Sequence, residues 1–490
     1  MYIDLDRNSS QPLYIQMAQN IRRRIRSGAL PPGTRLPTVR ELAQQLGVTR
    51  LTVHNAYSDL QADGWVEATV GRGTFVSTRQ EAAPIPEYGR EVSPRSAIND
   101  MMRMAQLPGM RSVAMADAAS EFYPLREFNR VVDEVLATSG VRALAYTTSQ
   151  GEPTLRNAIA DWVRERGVRV GPDEIIVTSG VTQGLALIAQ ILTQPGDVVL
   201  VEHPTYLGTL NVLENQGLRS ISVPVDDEGI MVEVLESLIF SHRPRFIYTI
   251  PVFHNPTGVC LSAQRRAALL ELVERHRVPL VEDDIYSQLV YEGSIPPALI
   301  VDDCSGMVLH VSSFSKSLLP GMRIGYVVAP PPLISRLSAA KQANDLCSPA
   351  LNQQAMALFL QRGVLAQHLR RTLPRYRERR DVLLDAMAQY FPATLRWTTP
   401  SGGFSVWVEL PLGVSATDLY LAAIERRVAF APGDVFFAMP SARSYMRLAF
   451  SAQPPETLSE IAQVLGELLH IQTHRRKVAM PETTDWVPLV

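Results

Sequence analysis

The sequence has very little lysine, few cysteines and no long apolar segment. Three lysines, Lys316, Lys341 and Lys477, stand among 490 residues that include 44 arginines. The three cysteines are far apart in the chain and odd in number, a pattern that supports neither a disulfide framework nor a zinc site. No apolar run reaches the length of a membrane span, and the N-terminus MYIDLDRNSS has no signal-peptide core. These absences argue against a disulfide-rich secreted protein, a metal site and a membrane protein, and they predict a cytoplasmic protein.

Positive charge is concentrated at the N-terminus. The net charge of the chain is −2, yet residues 1–78 contain nine arginines, no lysine and six acidic residues. Between positions 21 and 50 there are seven arginines and one acidic residue. This asymmetry predicts an anionic partner for the N-terminal part alone.

The pattern of the chain predicts two domains joined by a linker. Residues 79–94, TRQEAAPIPEYGREVS, are rich in proline and charge, which is typical of a linker. We therefore assign residues 1–78 to a head, 95–472 to a body and 473–490 to a loosely ordered tail. In the body, short apolar runs alternate with helical patterns, which predicts an α/β fold with a mostly parallel sheet. The strand-like runs are 174–179, 197–202, 245–250, 278–283, 307–312 and 323–328, and from about residue 375 the pattern changes to a smaller α+β subdomain.

Residues 36–76 of the head predict a helix-turn-helix followed by a β-hairpin wing. Thr38 can cap a first helix, Gly47 breaks it, and Thr49 starts a second helix. The apolar residues expected to face inward are Val39, Leu42 and Leu46 on the first helix, and Leu51, Val53, Tyr57 and Leu60 on the second.

The polar residues at the start of the second helix are candidates for contact with base edges in the major groove. They are Thr49, Arg50, Thr52, His54 and Asn55, while Arg40 and Arg72 could contact phosphates or enter a minor groove. Taken one by one, these residues are equally compatible with a solvated polar face.

The whole pattern from 11 to 77 resembles the GntR-type winged-helix head. The resemblance implies DNA binding by a dimer. It implies an α+β winged helix-turn-helix fold for the head, and contacts to DNA by Arg40, Thr49, Arg50, Thr52, His54, Gly71 and Arg72.

Lys316 lies in SSFSKSLLPGMRIGY, in a chain that otherwise uses arginine for positive charge. A lysine amine can lose its proton and attack a carbonyl, which a guanidinium cannot do. Lys316 is therefore a candidate for a Schiff base. Ser313, Ser315 and Arg323 surround it and could bind a phosphate, and SGVTQGLALIAQ (179–190) predicts an anion site at the start of a helix.

These groups suit pyridoxal 5′-phosphate, an aldehyde with a phosphate and a pyridine ring. Its ring nitrogen needs a carboxylate partner, for which Asp283 at the end of a predicted buried strand is well placed. Tyr286 and Asn255 could donate to the ring oxygen, and all these residues follow predicted strand ends, where α/β sheets bind ligands. Each element alone is more often structural; their order along the chain is more specific.

Residues from about 95 to 470 resemble the fold-type I, class I/II aminotransferases, most nearly the α-aminoadipate-like subgroup. The resemblance implies a Schiff base at Lys316, a ring-nitrogen partner at Asp283 and ring-oxygen donors at Asn255 and Tyr286. It also implies phosphate contacts from Ser313, Ser315, Arg323, Gly180, Val181 and Thr182, stacking by Tyr206, and a phosphate contact by Tyr146 to the neighbouring subunit. Arg447 would bind the carboxylate of an amino acid, although a structural ion pair is an alternative.

One stretch departs from the family. Its members usually have Gly-Gly-x-Pro shortly before the first Phe-Pro, whereas this chain has MADAASEFYP, with Ala116, Asp117 and Ala118 at that place. The departure leaves cofactor binding intact and puts efficient turnover in doubt.

A winged-helix head joined to an aminotransferase-like body resembles the MocR group of regulators. The resemblance implies a homodimer that binds promoter DNA and senses pyridoxal phosphate, alone or as an adduct with an amino-acid or amine effector. The alternative is a working aminotransferase with an accessory DNA-binding head. The residues leave the effector, the operator and the sign of regulation open.

Overall fold

The computed structural model describes residues 12–26, 30–31, 33–62, 65–69, 73–77, 107–294 and 296–479. The chain divides into two compact units, Met1–Glu91 and Val92–Val490. The predicted linker, 79–94, lies outside the described residues. Among the residues that are described, no helix is both long enough and apolar enough to cross a membrane.

The first unit is a small helical domain with a two-stranded wing. Its helices are α1 (Leu13–Arg26), α2 (Val39–Leu46) and α3 (Arg50–Ala62), and its strands are β1 (Val66–Thr69) and β2 (Gly73–Val76). The strands pair antiparallel. Thr38 caps α2: its hydroxyl accepts from the Glu41 amide at 3.2 Å, and the Glu41 carboxylate accepts from the Thr38 amide at 2.9 Å. Gly47 then ends the helix in the left-handed region, with φ 61°.

The inward face of α3 differs from the sequence prediction at one residue. Val53, Tyr57 and Leu60 are buried as expected, but Leu51 is 65% exposed. Because an α-helix turns by about 100° per residue, a residue two positions before Val53 points away from the face that Val53 and Leu60 share. The prediction that Leu51 packs inside is therefore wrong.

The second unit is built on an eight-stranded mixed sheet. Its strands are β4 (Ile175–Thr178), β5 (Val198–His203), β6 (Arg219–Asp226), β7 (Gly229–Ile230), β8 (Phe246–Thr249), β9 (Leu280–Asp283), β10 (Val308–Ser313) and β11 (Gly325–Val328). Their order is β4-β11-β10-β9-β8-β5-β6-β7. The run from β10 to β6 is parallel, whereas β11 is antiparallel to both of its neighbours and β7 is antiparallel to β6. All six predicted strand runs are present, and the α/β prediction is confirmed.

Helices cover the sheet and complete the unit. They are α4 (Leu125–Ser139), α5 (Pro153–Arg164), α6 (Val181–Leu192), α7 (Leu207–Asn215), α8 (Val232–His242), α9 (Ala263–His276), α10 (Leu299–Asp302), α11 (Pro331–Asp345), α12 (Ala350–Gln361), α13 (Val364–Tyr390), α14 (Ala416–Glu425) and α15 (Pro455–Ala479). A two-stranded parallel pair joins β3 (Arg111–Ser112) to β14 (Val428–Ala429). Strands such as β4, β9 and β10 are buried along their whole length, as expected for a sheet covered on both faces.

The C-terminal part is the α+β subdomain that the sequence predicts. Its antiparallel sheet has the order β12-β13-β16-β15, formed by β12 (Arg396–Trp397), β13 (Ser405–Glu409), β15 (Ala431–Pro432) and β16 (Tyr445–Ala449). The last helix, α15, continues to Ala479. It therefore extends into the segment from 473 that we assigned to a loose tail, and residues 480–490 lie outside the described part.

Candidate cofactor site and DNA-binding surface

A cleft lies at the carboxyl edge of the large sheet. Twelve predicted cofactor and effector residues line it, namely Gly180, Val181, Thr182, Tyr206, Asn255, Asp283, Tyr286, Ser313, Ser315, Lys316, Arg323 and Arg447. Most follow the ends of β4, β5, β8, β9 and β10, whose carboxyl ends meet at this edge. Arg323 lies two residues before β11, whose start reaches the same edge because that strand runs the opposite way.

Lys316 lies three residues beyond the end of β10. Its Nζ donates a hydrogen bond to the Asp117 carboxylate at 2.8 Å, and its side chain is 20% exposed, toward the cleft. Burial lowers the pKa of Lys316, but the oxygens of Tyr286, Asp117 and Tyr206 outweigh burial, so that the net change in its pKa is upward.

Asp283 ends β9 and is 2% exposed. Its carboxylate accepts from the Tyr248 hydroxyl at 2.6 Å and from the Ile285 amide at 3.2 Å. Burial raises the pKa of Asp283 to about 7, against which these two hydrogen bonds act. No lysine, arginine or histidine of the described residues forms an ion pair with it. A cationic group of a ligand could therefore pair with the Asp283 carboxylate.

Two donors lie together on one side of the cleft. The amide of Asn255 donates to the Tyr286 hydroxyl at 3.4 Å, and both side chains are buried. Tyr206 lies just before α7, where it is half-buried and lines the cleft. A planar ring in the cleft would therefore meet an aromatic ring and two polar hydrogens.

The opposite end of the cleft is suited to an anion. Ser313 and Ser315 place their hydroxyls 2.8 Å apart, and the Arg323 guanidinium donates to Ser315 at 3.5 Å and to the Ser179 carbonyl. Helix α6 begins here, and its first amides have no partner within the helix. A Cβ on Gly180, whose φ is +98°, would come within 2.9 Å of Arg323. Glycine is thus required for the guanidinium to approach the helix terminus.

Arg447, on β16, is 4% exposed. One of its terminal nitrogens donates to Asn255 at 2.9 Å, another donates to the Ala114 carbonyl, and the guanidinium lies 4.7 Å from the centre of the Phe436 ring. Its Nε is buried and has no hydrogen-bond partner among the residues that the structure describes. Within the described chain no carboxylate forms an ion pair with it, which speaks against the alternative of a structural ion pair.

Tyr146 is separate from these residues within one chain. It does not line the cleft, and its side chain is 86% exposed. Val141 and Leu144 nearby are also exposed, by 83% and 72%.

Most of the predicted DNA contacts that the structure describes in the head are exposed. Thr49, Arg50 and His54 are exposed, as is Arg40 on α2, while Thr52 is half-buried. Thr49 and Thr52 hold each other at the start of α3, with their hydroxyls 2.8 Å apart and the Thr52 amide donating to Thr49 at 3.2 Å. The predicted contacts Gly71 and Arg72 lie outside the described residues.

Comparison with known proteins identifies both units. Residues 13–76 match the model of the gntR family of bacterial regulatory proteins, and residues 114–465 match that of the class I and II aminotransferases. The regulatory protein MocR of Rhizobium meliloti is 31% identical over 466 residues, which cover 93% of each chain. The chain belongs to the MocR-type regulators of the GntR family.

The aminotransferase side of this MocR-type chain has close counterparts of known structure and activity. An aromatic-amino-acid aminotransferase of Thermococcus litoralis is 34% identical over 399 residues, covering 79% of this chain and 96% of that one. The α-aminoadipate aminotransferase LysN of Thermus thermophilus, crystallised with a phosphopyridoxyl-leucine compound, has a TM-score of 0.73 and 34% identity, covering 78% of this chain and 97% of its own. The fold-type I prediction and the pyridoxal phosphate prediction are both confirmed.

The cleft of this MocR-type regulator fits pyridoxal phosphate. The buried Asp283 carboxyl has no cationic partner in the described chain, and the glycine-lined cradle beside α6 brings an arginine and two serines to one point. These are the groups that a pyridine nitrogen and a phosphate require.

The sequence did not predict the surroundings of two residues, Asp117 and Leu51. Asp117 is visible in the sequence only as a departure from a family pattern; its contact with Lys316 spans 199 positions. Leu51 is an exposed apolar residue at the start of α3, where a side chain can contact a thymine methyl group. A helical wheel aligned on Val53, Tyr57 and Leu60 could have found it.

Proposed function

We propose that this regulator binds pyridoxal phosphate covalently through Lys316 and senses the cofactor, alone or with an amino-acid or amine effector. The observation that carries the proposal is that one cleft brings together a lysine amine, an anion cradle and a buried carboxyl with no cationic partner among the described residues. When bound, pyridoxal phosphate supplies an aldehyde that condenses with amines and a protonated ring that withdraws electrons.

Each side chain then has a defined part in holding the cofactor. Asp283 would keep the ring nitrogen protonated, and Asn255 and Tyr286 would donate to the ring oxygen. Tyr206 would lie against the ring face. The phosphate would be bound by Ser313, Ser315, Arg323 and the amides of the Gly180–Val181–Thr182 turn.

Arg447 would bind the carboxylate of an amino-acid effector. Its guanidinium is buried, and its Nε–H has no hydrogen-bond partner among the described residues. Burying a charge without a partner costs free energy, and a carboxylate ligand would recover part of that cost through charge-assisted hydrogen bonds.

We further propose that the active form is a head-to-tail homodimer. The exposed apolar residues Val141, Leu144 and Tyr146 are unusual for a solvated surface, and a second copy of the chain would cover them. In such a dimer Tyr146 would reach the phosphate in the partner's cleft. Sedimentation of the wild type and of Tyr146→Ala, with and without cofactor, tests this arrangement.

The head would bind promoter DNA as part of the same dimer, in the cytoplasm where the chromosome lies. Arg50, His54, Thr49 and Thr52 would read bases from the start of α3, and Arg40 would contact phosphate. Binding should weaken steeply as salt concentration rises, because each neutralised phosphate releases counterions. Flat salt dependence on the chain's own upstream DNA would contradict an electrostatic interface.

One experiment tests sensing directly. The affinity of the full-length protein for its upstream DNA is measured with pyridoxal phosphate, with cofactor plus an amino acid, and with neither. A sensor must bind its ligand better in one arrangement than in the other, so at least one addition should change the affinity. Unchanged DNA affinity together with rapid multiple turnover would favour the aminotransferase alternative.

A further inference from the structure

The Asp117 carboxylate contacts the Lys316 amine, which is the group proposed to bond to the cofactor. The Asp117 oxygen lies 2.8 Å from Nζ, and the Asp117 side chain is 47% exposed, toward the cleft that both residues line. The inference drawn from this contact rests on the proposed function of Lys316.

The position of Asp117 is fixed by its surroundings. Ser451 donates to the Asp117 carbonyl at 2.5 Å, and the Ala119 amide donates to the Tyr376 hydroxyl at 3.1 Å. Ala116 and Ala118, on either side, are 5% and 7% exposed. With both neighbours packed and the backbone held at several points, the carboxylate is directed into the cleft.

The other groups that face this pair are phenols and one guanidinium. Tyr286 and Tyr206 face Nζ, Tyr123 and Arg447 face Asp117, and burial raises the pKa values of Tyr286 and Tyr123. Phenols are uncharged near pH 7. The positive charge of Lys316, more than that of Arg447, lowers the pKa of Asp117. Near neutral pH, Asp117 is therefore the negative charge that faces Nζ among the described residues.

We propose that Asp117 holds Lys316 as an ammonium whenever this lysine is not bonded to the cofactor, and thereby withholds the base that turnover requires. For an amino compound to be converted, its Cα–H bond must break. The proton must then form an N–H bond at the lone pair of Nζ, while the electron pair passes to the pyridoxal phosphate ring. An ammonium has no lone pair, so a captured amino compound would persist. Asp117 is thus a positioning residue that favours retention of the ligand over conversion.

The direct test measures the protonation of Lys316 in the cofactor-free, full-length protein. The rate of acetylation at residue 316 by acetic anhydride is followed by mass spectrometry from pH 6 to pH 11, with an added free amine as standard. In Asp117→Asn we expect acetylation near pH 8 to be faster than in wild type by about tenfold or more. A fall of one unit in the pKa of Lys316 increases the fraction of free amine tenfold at this pH. Asp117→Glu, which keeps the charge, should behave nearly as the wild type.

Lys341 is an internal control for folding in the same experiment. It is fully buried and pairs with Asp345 at 2.7 Å, so it should stay unmodified in every folded variant. If Asp117→Asn exposes Lys341, Asp117→Gly takes its place. Equal acetylation rates at Lys316 over the whole pH range, in wild type and in a folded, uncharged variant, would overturn the proposal.

A second measurement separates this inference from the proposed function. Pyridoxal phosphate is added at pH 7 and visible absorbance is followed; Asp117→Asn should gain absorbance about tenfold faster than wild type, because a larger fraction of Lys316 is free amine. Equal rates would count against Asp117. If neither protein gains absorbance, the cofactor proposal fails, whereas the acetylation shift still reports on the ion pair.

Discussion

In the head, the described candidates for DNA contact lie at the surface of α2 and α3, whereas in the body the central cofactor residues are buried in a cleft at the edge of the large sheet. Arg50 and His54 are exposed, and because they lie four residues apart on α3, the helix itself places them near each other. Asp283 and Arg447 are buried, come from different sheets and are separated by more than 160 positions in the chain. The head thus presents charged side chains to a partner that binds from solvent. The body instead buries a few polar groups close together, so that their pKa values and hydrogen bonds depend on each other.

The difference predicts different failures. Substitutions in the head should weaken DNA binding in small, separable steps, and substitutions in the body should change cofactor chemistry or stability by large ones. The predictions that follow test this contrast in order of decreasing effect.

Lys316→Ala should abolish covalent binding of pyridoxal phosphate, because no other described lysine lines the cleft. Visible absorbance after reconstitution measures the effect, and Lys316→Arg, which keeps a positive charge but cannot condense with an aldehyde, is the matched control. If either variant still showed the visible absorbance of a cofactor bonded to a lysine, Lys316 would not have its proposed role.

Asp283→Asn should make the cofactor-free protein more stable at alkaline pH while weakening cofactor binding. The pKa of Asp283 is raised to about 7 from 3.8, so the folded state binds the proton more tightly than the unfolded state. The resulting stability is fully present below pH 3.8 and is lost as the pH rises from there through 7. The loss is about 4 kcal/mol, because one pKa unit corresponds to about 1.4 kcal/mol, and Asn cannot show it. Urea unfolding of both proteins at pH 5 and pH 8 should give a gap that widens toward pH 8. Parallel pH profiles would contradict the assignment.

Arg447→Ala should raise the amino-acid concentration needed to change the cofactor spectrum by about 10–100-fold, because charge-assisted hydrogen bonds contribute roughly 1.5–3 kcal/mol. Arg447→Lys keeps the charge and loses the bidentate geometry, so its effect should be intermediate. A simple amine without a carboxylate serves as the control ligand, and it should respond alike in all three proteins.

Arg50→Ala should cost about 1–3 kcal/mol on the preferred DNA site and little on scrambled DNA. Arg40→Ala is the comparison variant: as a phosphate contact, Arg40 should affect both sequences equally and reduce the salt dependence. If Arg50→Ala weakened all sequences to the same extent, the recognition role would pass to other residues of α3.

Thr38→Ala should lower the stability of α2 by about 1 kcal/mol, since it removes one half of the capping box. Hydrogen exchange of the amides in 39–46 measures the local opening. Ser262→Ala removes a similar cap from α9 in the body, where Ser262 accepts from the Arg265 amide, and should leave the exchange of 39–46 unchanged.

Local patterns in the sequence are sufficient for most of the architecture. The cap at Thr38 and the left-handed Gly47 follow from neighbouring residues, and the six strand runs follow from continuous apolar stretches in buried strands. The order of Asn255, Asp283 and Lys316 after three such strands predicts that they meet, because parallel strands share an edge. Leu51 was misplaced because its apolar character was weighed without the rotation of about 100° per residue, which turns it away from the face that Val53, Tyr57 and Leu60 share.

Other features required the folded chain. Asp117 meets Lys316, Arg447 keeps one N–H without a partner in the described part of the chain, and Tyr146 is exposed within one chain. All three features depend on how positions far apart in the sequence pack together. Residue identity and spacing determined the two-part plan, the helix-turn-helix and the reactive amine, because propensity and periodicity are local properties. Tertiary packing alone decided which charges are buried together, and hence the protonation of that amine, because burial and electrostatic interaction depend on distance in space.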